Sequence, residues 1–106
     1  MNKILPFPQP NSPPESLKDL EGKVHLLAQD SENIFWDSPH VQLRMKERKV
    51  SIRQILDVLR KGKGCDGPSL DTYGDWRIKL KRFTAGRTVQ VVVAVKTNHI
   101  EVITVI

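Results

Sequence analysis

Trp76-Arg77-Ile78-Lys79-Leu80-Lys81-Arg82-Phe83 is the stretch on which the fold turns. Trp76, Ile78 and Leu80 alternate with Arg77, Lys79 and Lys81, the two-residue period of a strand with one face buried and one face wet. The next run, Thr88–Lys96, contains Val89-Gln-Val-Val-Val-Ala-Val, apolar on both faces, and predicts a central strand. A third run, Ile100–Ile106, follows the short link Thr97-Asn98, while Thr84-Ala-Gly86-Arg87 joins the first two. Ahead of them, Lys61-Gly-Lys-Gly-Cys-Asp-Gly-Pro is turn-rich, with room for one short edge strand near 66–71. The C-terminal half therefore predicts an antiparallel meander of three to four strands.

The N-terminal half reads as helices. Ser12-Pro13-Pro14-Glu15 has a capping-box pattern, and Leu17, Leu20, Val24 and Leu27 follow on one face, predicting a first helix over about 13–29. Asn33-Ile34-Phe35-Trp36 reads as a short extended link. Ser38-Pro39 opens a second helix that runs to about Arg48 or Lys49, with Ser38 as cap and Pro39 at the first helical position. Ser51-Ile-Arg-Gln54 is a second capping box, and Ile52, Ile55, Leu56 and Leu59 stripe a third helix. Gly62 suits the left-handed position that stops it. Residues 1–11, with Pro6, Pro8 and Pro10, read as an extended, mobile arm, and 12–106 as a single α+β domain with two to three N-terminal helices on one sheet face.

Composition narrows the function classes. The chain has 106 residues, 39% of them hydrophobic and 27% charged, as in ordinary soluble domains. No apolar run approaches the roughly 20 residues of a membrane helix, and the proline-broken stretch at 1–8 does not read as a secretory signal. One cysteine, Cys65, excludes an internal disulfide framework, so the expected compartment is the cytoplasm. Three scattered His and one Cys have no metal-ligand spacing, and no cofactor motif is present. The net charge is +5, and the excess sits in residues 37–63, which alone carry +5, and in 64–106, which carry +2. Such a field attracts a polyanion or an acidic protein, though a merely solvated basic face is the competing reading.

The second helix repays a closer look. On a wheel of 100° per residue, His40, Arg44, Glu47 and Arg48 fall between two apolar edges, Val41/Met45 on one side and Leu43 on the other. That places them on the half expected to face the body of the protein. In one reading Arg44 pairs with Glu47 or another acid and the stems simply pack. In the other the cations line a concave anion site with His40 as proton carrier. Arg77, Lys79 and Lys81 offer a basic floor for such a site, against the plainer reading of a solvated sheet face.

The run His40-x-x-x-Arg44-Met45-x-x-Arg48-x-Val50-Ser51, followed by Gly62, Trp76-Arg77 and Ile100-x-Val-Ile-Thr104-Val, resembles a small bacterial and phage-associated domain family of unknown function. Its members show H-x-x-x-R-M-x-x-R-G-I-S and an ending close to V-I-T-V. Lys49 stands where that pattern has Gly. The family is grouped with barnase- and RelE-like folds, which include small RNA-cleaving toxins, some paired with an antitoxin. The resemblance implies helices on a four-stranded antiparallel sheet and marks His40, Arg44 and Arg48 as signature positions. It assigns no catalytic set.

RNA cleavage without metal needs a base for the 2′-hydroxyl, cations for the phosphoryl oxygens and an acid for the leaving oxygen. His40 fits base or acid, Arg44 and Arg48 fit phosphate holders, and Arg77, Lys79 and Lys81 fit nucleic-acid contacts. Tyr73, on the loop before the sheet, offers a second proton carrier or stacking surface, against the commoner reading of a loop tyrosine that is neither. Trp76 reads as core, and His25 and His99 read as structural or surface. The expectation is an RNA-interacting, toxin-like ribonuclease with an acidic antitoxin-like partner. The alternative is a non-catalytic binding module for nucleic acid or acidic protein.

Overall fold

The computed structural model describes residues 16–106. Three helices, α1 (Leu17–Leu27), α2 (Pro39–Arg48) and α3 (Ile52–Lys61), accompany five strands. These are β1 (Ile34–Phe35), β2 (Lys63–Leu70), β3 (Trp76–Thr84), β4 (Arg87–Val95) and β5 (Ile100–Val105), in the sheet order β1-β5-β4-β3-β2. The fold class is α+β, as the sequence predicts, but the sheet is larger than expected. The link at Ile34-Phe35 pairs parallel with Ile100 and Glu101, adding a fifth, non-antiparallel edge strand. Two residues carry no periodic signal, and this pairing spans more than 60 positions of chain.

Strands β3 and β4 pair in unbroken register from Trp76↔Val95 to Thr84↔Arg87. Opposed residues share a face, so Ile78 and Leu80 lie with Val93 and Val91, all but inaccessible to solvent. Leu20 and Val24 of α1, Ile55, Val58 and Leu59 of α3, and Val41 of α2 join them in one core. The helices therefore cover one face of the sheet. The other face carries Arg77, Lys79, Lys81 and Phe83 from β3 and has no helix upon it.

Local chemistry sets the helix boundaries. The Ser51–Gln54 capping box forms as predicted, with Gln54 N donating to Ser51 Oγ at 3.1 Å and Ser51 N to Gln54 Oε1 at 3.0 Å. Ser38 caps α2, accepting from Val41 N at 3.2 Å. The first helix is shorter than the predicted 13–29: Ser16 is its N-cap, accepting from Asp19 N at 3.0 Å. The predicted Ser12–Glu15 box and the arm at 1–11 lie outside the described residues.

Gly62 departs from expectation. It sits in extended backbone at φ −71°, not in the left-handed region. Glycine is required there by crowding: a Cβ would collide with the Val58 carbonyl oxygen and lie 3.1 Å from that of Lys81. The left-handed stop belongs to Lys49, φ 56°, which closes α2 where the resembled pattern has Gly. The β3–β4 hairpin turns through Ala85 (φ 51°) and Gly86 (φ 86°), both left-handed, which suits the twist of a two-residue hairpin. Among the described residues no helix is long and apolar enough to cross a membrane.

Two substitutions test these backbone readings. Lys49→Gly relieves a left-handed side-chain residue and raises stability by about 0.5–1 kcal/mol. Gly62→Ala forces β2 away from α3 and lowers it by about 2 kcal/mol or more. Urea unfolding measures both, and the reverse order of stabilities contradicts the assignment.

Candidate nucleic-acid interface

The two groups of residues singled out in the sequence lie on different elements, and His40 is the member of the α2 group that reaches the face of the β3 cations. Lys79 on β3 opposes Val92 on β4, which opposes Thr104 on β5. A register shift between Val92 and Val93 absorbs Ile103, leaving Val102 and Val105 on the buried face and Thr104 on the helix-free one. His40 Nε2 lies 3.1 Å from Thr104 Oγ1. The imidazole thus ends a cross-strand row that starts at Lys79, with two interstrand spacings, about 10 Å, separating β3 from β5.

The orientation of α2 differs from the expectation that His40, Arg44, Glu47 and Arg48 face inward. Val41 is fully buried and Met45 packs on the core, whereas His40, Glu47 and Arg48 are exposed and Arg44 is half-buried. Of the two apolar edges the Val41/Met45 edge faces the sheet, and Leu43 is 53% exposed. Turning the charged sector inward would bury cations beneath β5 without partners, at a cost that two apolar side chains do not incur. His40, Arg44 and Arg48, one turn apart, form a stripe beside the buried edge. Its first member meets the helix-free face through Thr104.

Some of these cations are already engaged. Arg44 Nη1 is 3.5 Å from Glu47 Oε1, a loose pair, and Arg44 Nε is buried with no partner. The Arg48 side chain has no acidic partner among the described residues, while its carbonyl and that of Lys49 accept from Arg87, at 2.8 Å for Lys49. Arg87 therefore ties the end of α2 to the start of β4 and satisfies carbonyls a helix terminus leaves open. His25, which reads in the sequence as structural or surface, places Nε2 2.6 Å from the Gly62 carbonyl and joins α1 to the end of α3. The His99 ring lies against Phe35 at a tilt of 47°, with centroids 4.6 Å apart.

The helix-free face divides in two. At one end Arg77 Nε donates to Asp71 Oδ2 at 3.0 Å, and Lys96 Nζ donates to Asp75 Oδ2 at 2.6 Å with Glu101 Oε1 at 3.8 Å. This network surrounds Ala94, which is only 1% exposed although it lies on the helix-free side. Partial burial pushes the Asp71 carboxyl pKa up, but the amides of Asp75 and Tyr73 and the Arg77 guanidinium outweigh it and hold the value below the ordinary one. The hydrogen bond from Lys96 to Asp75 raises the lysine pKa against its desolvation. Arg77 is thus ion-paired with Asp71, whereas Lys81 has no such partner among the described residues.

The other end is open. Lys79 reaches only 3.9 Å from the exposed Asp66, and Lys81 is exposed with no ion pair among the described residues. Between Lys79 and the irregular part of β2 runs a groove of about 700 Å³, lined by Asp66–Ser69, Arg77, Ile78, Lys79, Val92 and Ile106 but not by Lys81. A second groove of about 750 Å³ beside α3 also holds cations, but Arg60 there donates to the Ala28 carbonyl at 2.7 Å and Asp57 is paired with Arg82. Phe83 continues the Lys79–Lys81 line and is 69% exposed. The alternation in the sequence extends to Phe83, so the same period that marks the lysines also marks the ring. Thr104 and the Asp71–Asp75–Lys96 network emerge only from long-range pairing.

Because Asp71 has a depressed folded pKa, its contribution to stability is complete above the ordinary value of 3.8 and is withdrawn as pH falls below it. Asp71→Asn removes that contribution, so the stability difference between wild type and variant shrinks as pH drops from 5 to about 2. Thermal unfolding across that range checks it, and a constant difference contradicts the assignment.

No curated protein and no solved structure significantly matches this chain. A family model does: Domain of unknown function (DUF4258), over residues 38–106. The match begins at Ser38, the cap of α2, and takes in α2, α3 and β2–β5, so the stripe at 40, 44 and 48 and the helix-free face both lie inside it. On that coverage, about two thirds of its length, the chain belongs to the DUF4258 family.

Proposed function

We propose that the protein binds RNA on the open half of its helix-free sheet face. The observation that carries this reading is the row Lys79–Val92–Thr104 with His40 at its far end. Support comes from His40, the first member of the α2 stripe, standing across Val92 and Thr104 from the sparsely paired cations of β3. Small and uncharged side chains lie between them, and an extended phosphate backbone finds donors along both margins. The acidic counterweight is slight, since Asp66 stands 3.9 Å from Lys79 and Glu47 3.5 Å from Arg44.

A second reading, cleavage of the bound strand, is favoured by the position of His40. Its ring touches a neutral hydroxyl, stays exposed and stands at the edge of the phosphate-holding surface. There it takes the proton of a 2′-hydroxyl as that oxygen bonds to the adjacent phosphorus. The P–O5′ bond breaks, the 5′-oxygen leaves with a proton from water, and Arg44 and Lys79 steady the phosphoryl oxygens, a route that needs no metal. The order of helices followed by a meander supports the likeness to barnase- and RelE-like toxins. On that reading an acidic antitoxin-like protein covers the same lysines.

Retardation of a labelled RNA measures the first reading. The wild type binds at low salt and weakens steeply with added salt, and Lys79→Ala/Lys81→Ala lowers affinity about tenfold and reduces the salt slope by roughly two. Absence of binding at low salt, or an unchanged slope in the double variant, contradicts it. For cleavage, His40→Ala abolishes RNA breakdown while keeping retardation. Intact RNA at catalytic ratios of wild type removes the cleavage reading and leaves binding standing.

A further inference from the structure

We infer that the bound RNA is single-stranded and that one of its bases stacks on Phe83. This rests on the RNA-binding reading above and names the form of RNA that the face accepts.

Lys79, Lys81 and Phe83 are alternate residues of β3, so their side chains leave the same face at intervals of about 6.8 Å. Lysine ammonium groups hold phosphates without regard to base. An aromatic ring in the same line has nothing to offer a phosphate and much to offer a base. Phe83 opposes Thr88 on β4, a side chain too small to cover the ring, and no other aromatic ring stacks on it among the described residues. The neighbouring cation Arg82 points to the other face, where its Nε donates to Asp57 at 2.9 Å. Phe83 is thus an uncovered apolar plate at the end of a cationic line.

The plate is also held firmly. Thr84 pairs with Arg87 across the two-residue turn at Ala85–Gly86. Arg87 is clasped in turn to the carbonyls ending α2. A ring carried on a strand whose backbone is already ordered requires no chain ordering when a base settles on it. Duplex RNA keeps its bases stacked on one another and presents sugars and phosphates to a shallow surface, so it gains nothing from Phe83. A single strand offers the same phosphates together with free base faces.

The test compares a labelled 12-nucleotide single strand with the same strand annealed to its complement, using wild type, Phe83→Ala, Phe83→Leu and Phe83→Trp. The exposed position lets each variant fold, which circular dichroism verifies. The single strand binds wild type more tightly than the duplex. Phe83→Ala and Phe83→Leu lose about tenfold on the single strand, equivalent to roughly 1.4 kcal/mol. The duplex affinity and the salt slope stay unchanged in both, because no phosphate contact is lost, and Phe83→Trp restores binding. Equal affinity for the two forms, or wild-type binding by Phe83→Leu, overturns the stacking inference and leaves RNA binding intact. Failure of wild type to bind either form overturns both.

Discussion

The pairing of β3 with β4 governs everything else in the molecule. Nine successive pairs, from Trp76↔Val95 to Thr84↔Arg87, set Ile78 and Leu80 with Val91 and Val93 beneath the helices. The same pairs send Lys79, Lys81 and Phe83 the other way. Because side chains alternate, a slip of one residue would drive three basic side chains into the core and expose the apolar set. The energetic demand to bury Ile78 and Leu80 is therefore what presents the lysines to solvent. The hydrophobic core and the basic surface are two consequences of one register.

That register also explains why the helix-free face is not uniformly basic. Its Ala94 end is covered by an ion-pair network in which Asp71 holds Arg77 and Asp75 holds Lys96. Arg77 helps hold the Asp71 carboxyl below its ordinary pKa and Asp75 raises that of Lys96, and a phosphate arriving there would have to displace a carboxylate. Toward the Phe83 end the balance reverses. Lys81 has no counter-ion among the described residues, and Lys79 has only a distant one. Positive charge is thus concentrated where the surface is open, and an anionic chain would run along that half.

What the sequence disclosed, and what it withheld, divides along the range of the interactions. The caps at Ser38 and Ser51 and the alternation of β3 are local, since each needs only a few neighbouring residues, and all three hold in the structure. The parallel pairing of Ile34-Phe35 with β5 depends on chain far away and was invisible. Gly62 was legible as a necessary glycine but not for its reason, because the crowding comes partly from Lys81 on a distant strand. The wheel of α2 placed His40, Arg44 and Arg48 together correctly, but with apolar residues on both margins it had no means of choosing which margin faces the sheet. Val41 and Met45 decided that through packing. Arg77 looked equivalent to Lys79 and Lys81, and only the fold reveals that Asp71 has claimed it.

The central claim is that the helix-free face of the sheet, bordered by His40 of α2, meets RNA, and that α1 and α3 do not. Amide chemical shifts recorded by nuclear magnetic resonance while single-stranded RNA is added test this residue by residue. The account predicts perturbations concentrated at Lys79, Lys81, Phe83, Val92 and Thr104 and at His40 and Arg48 of α2, with the exposed side of α1 and the Arg53–Lys61 side of α3 unmoved. Perturbations centred on α1 and α3, with the β3 lysines silent, would contradict it.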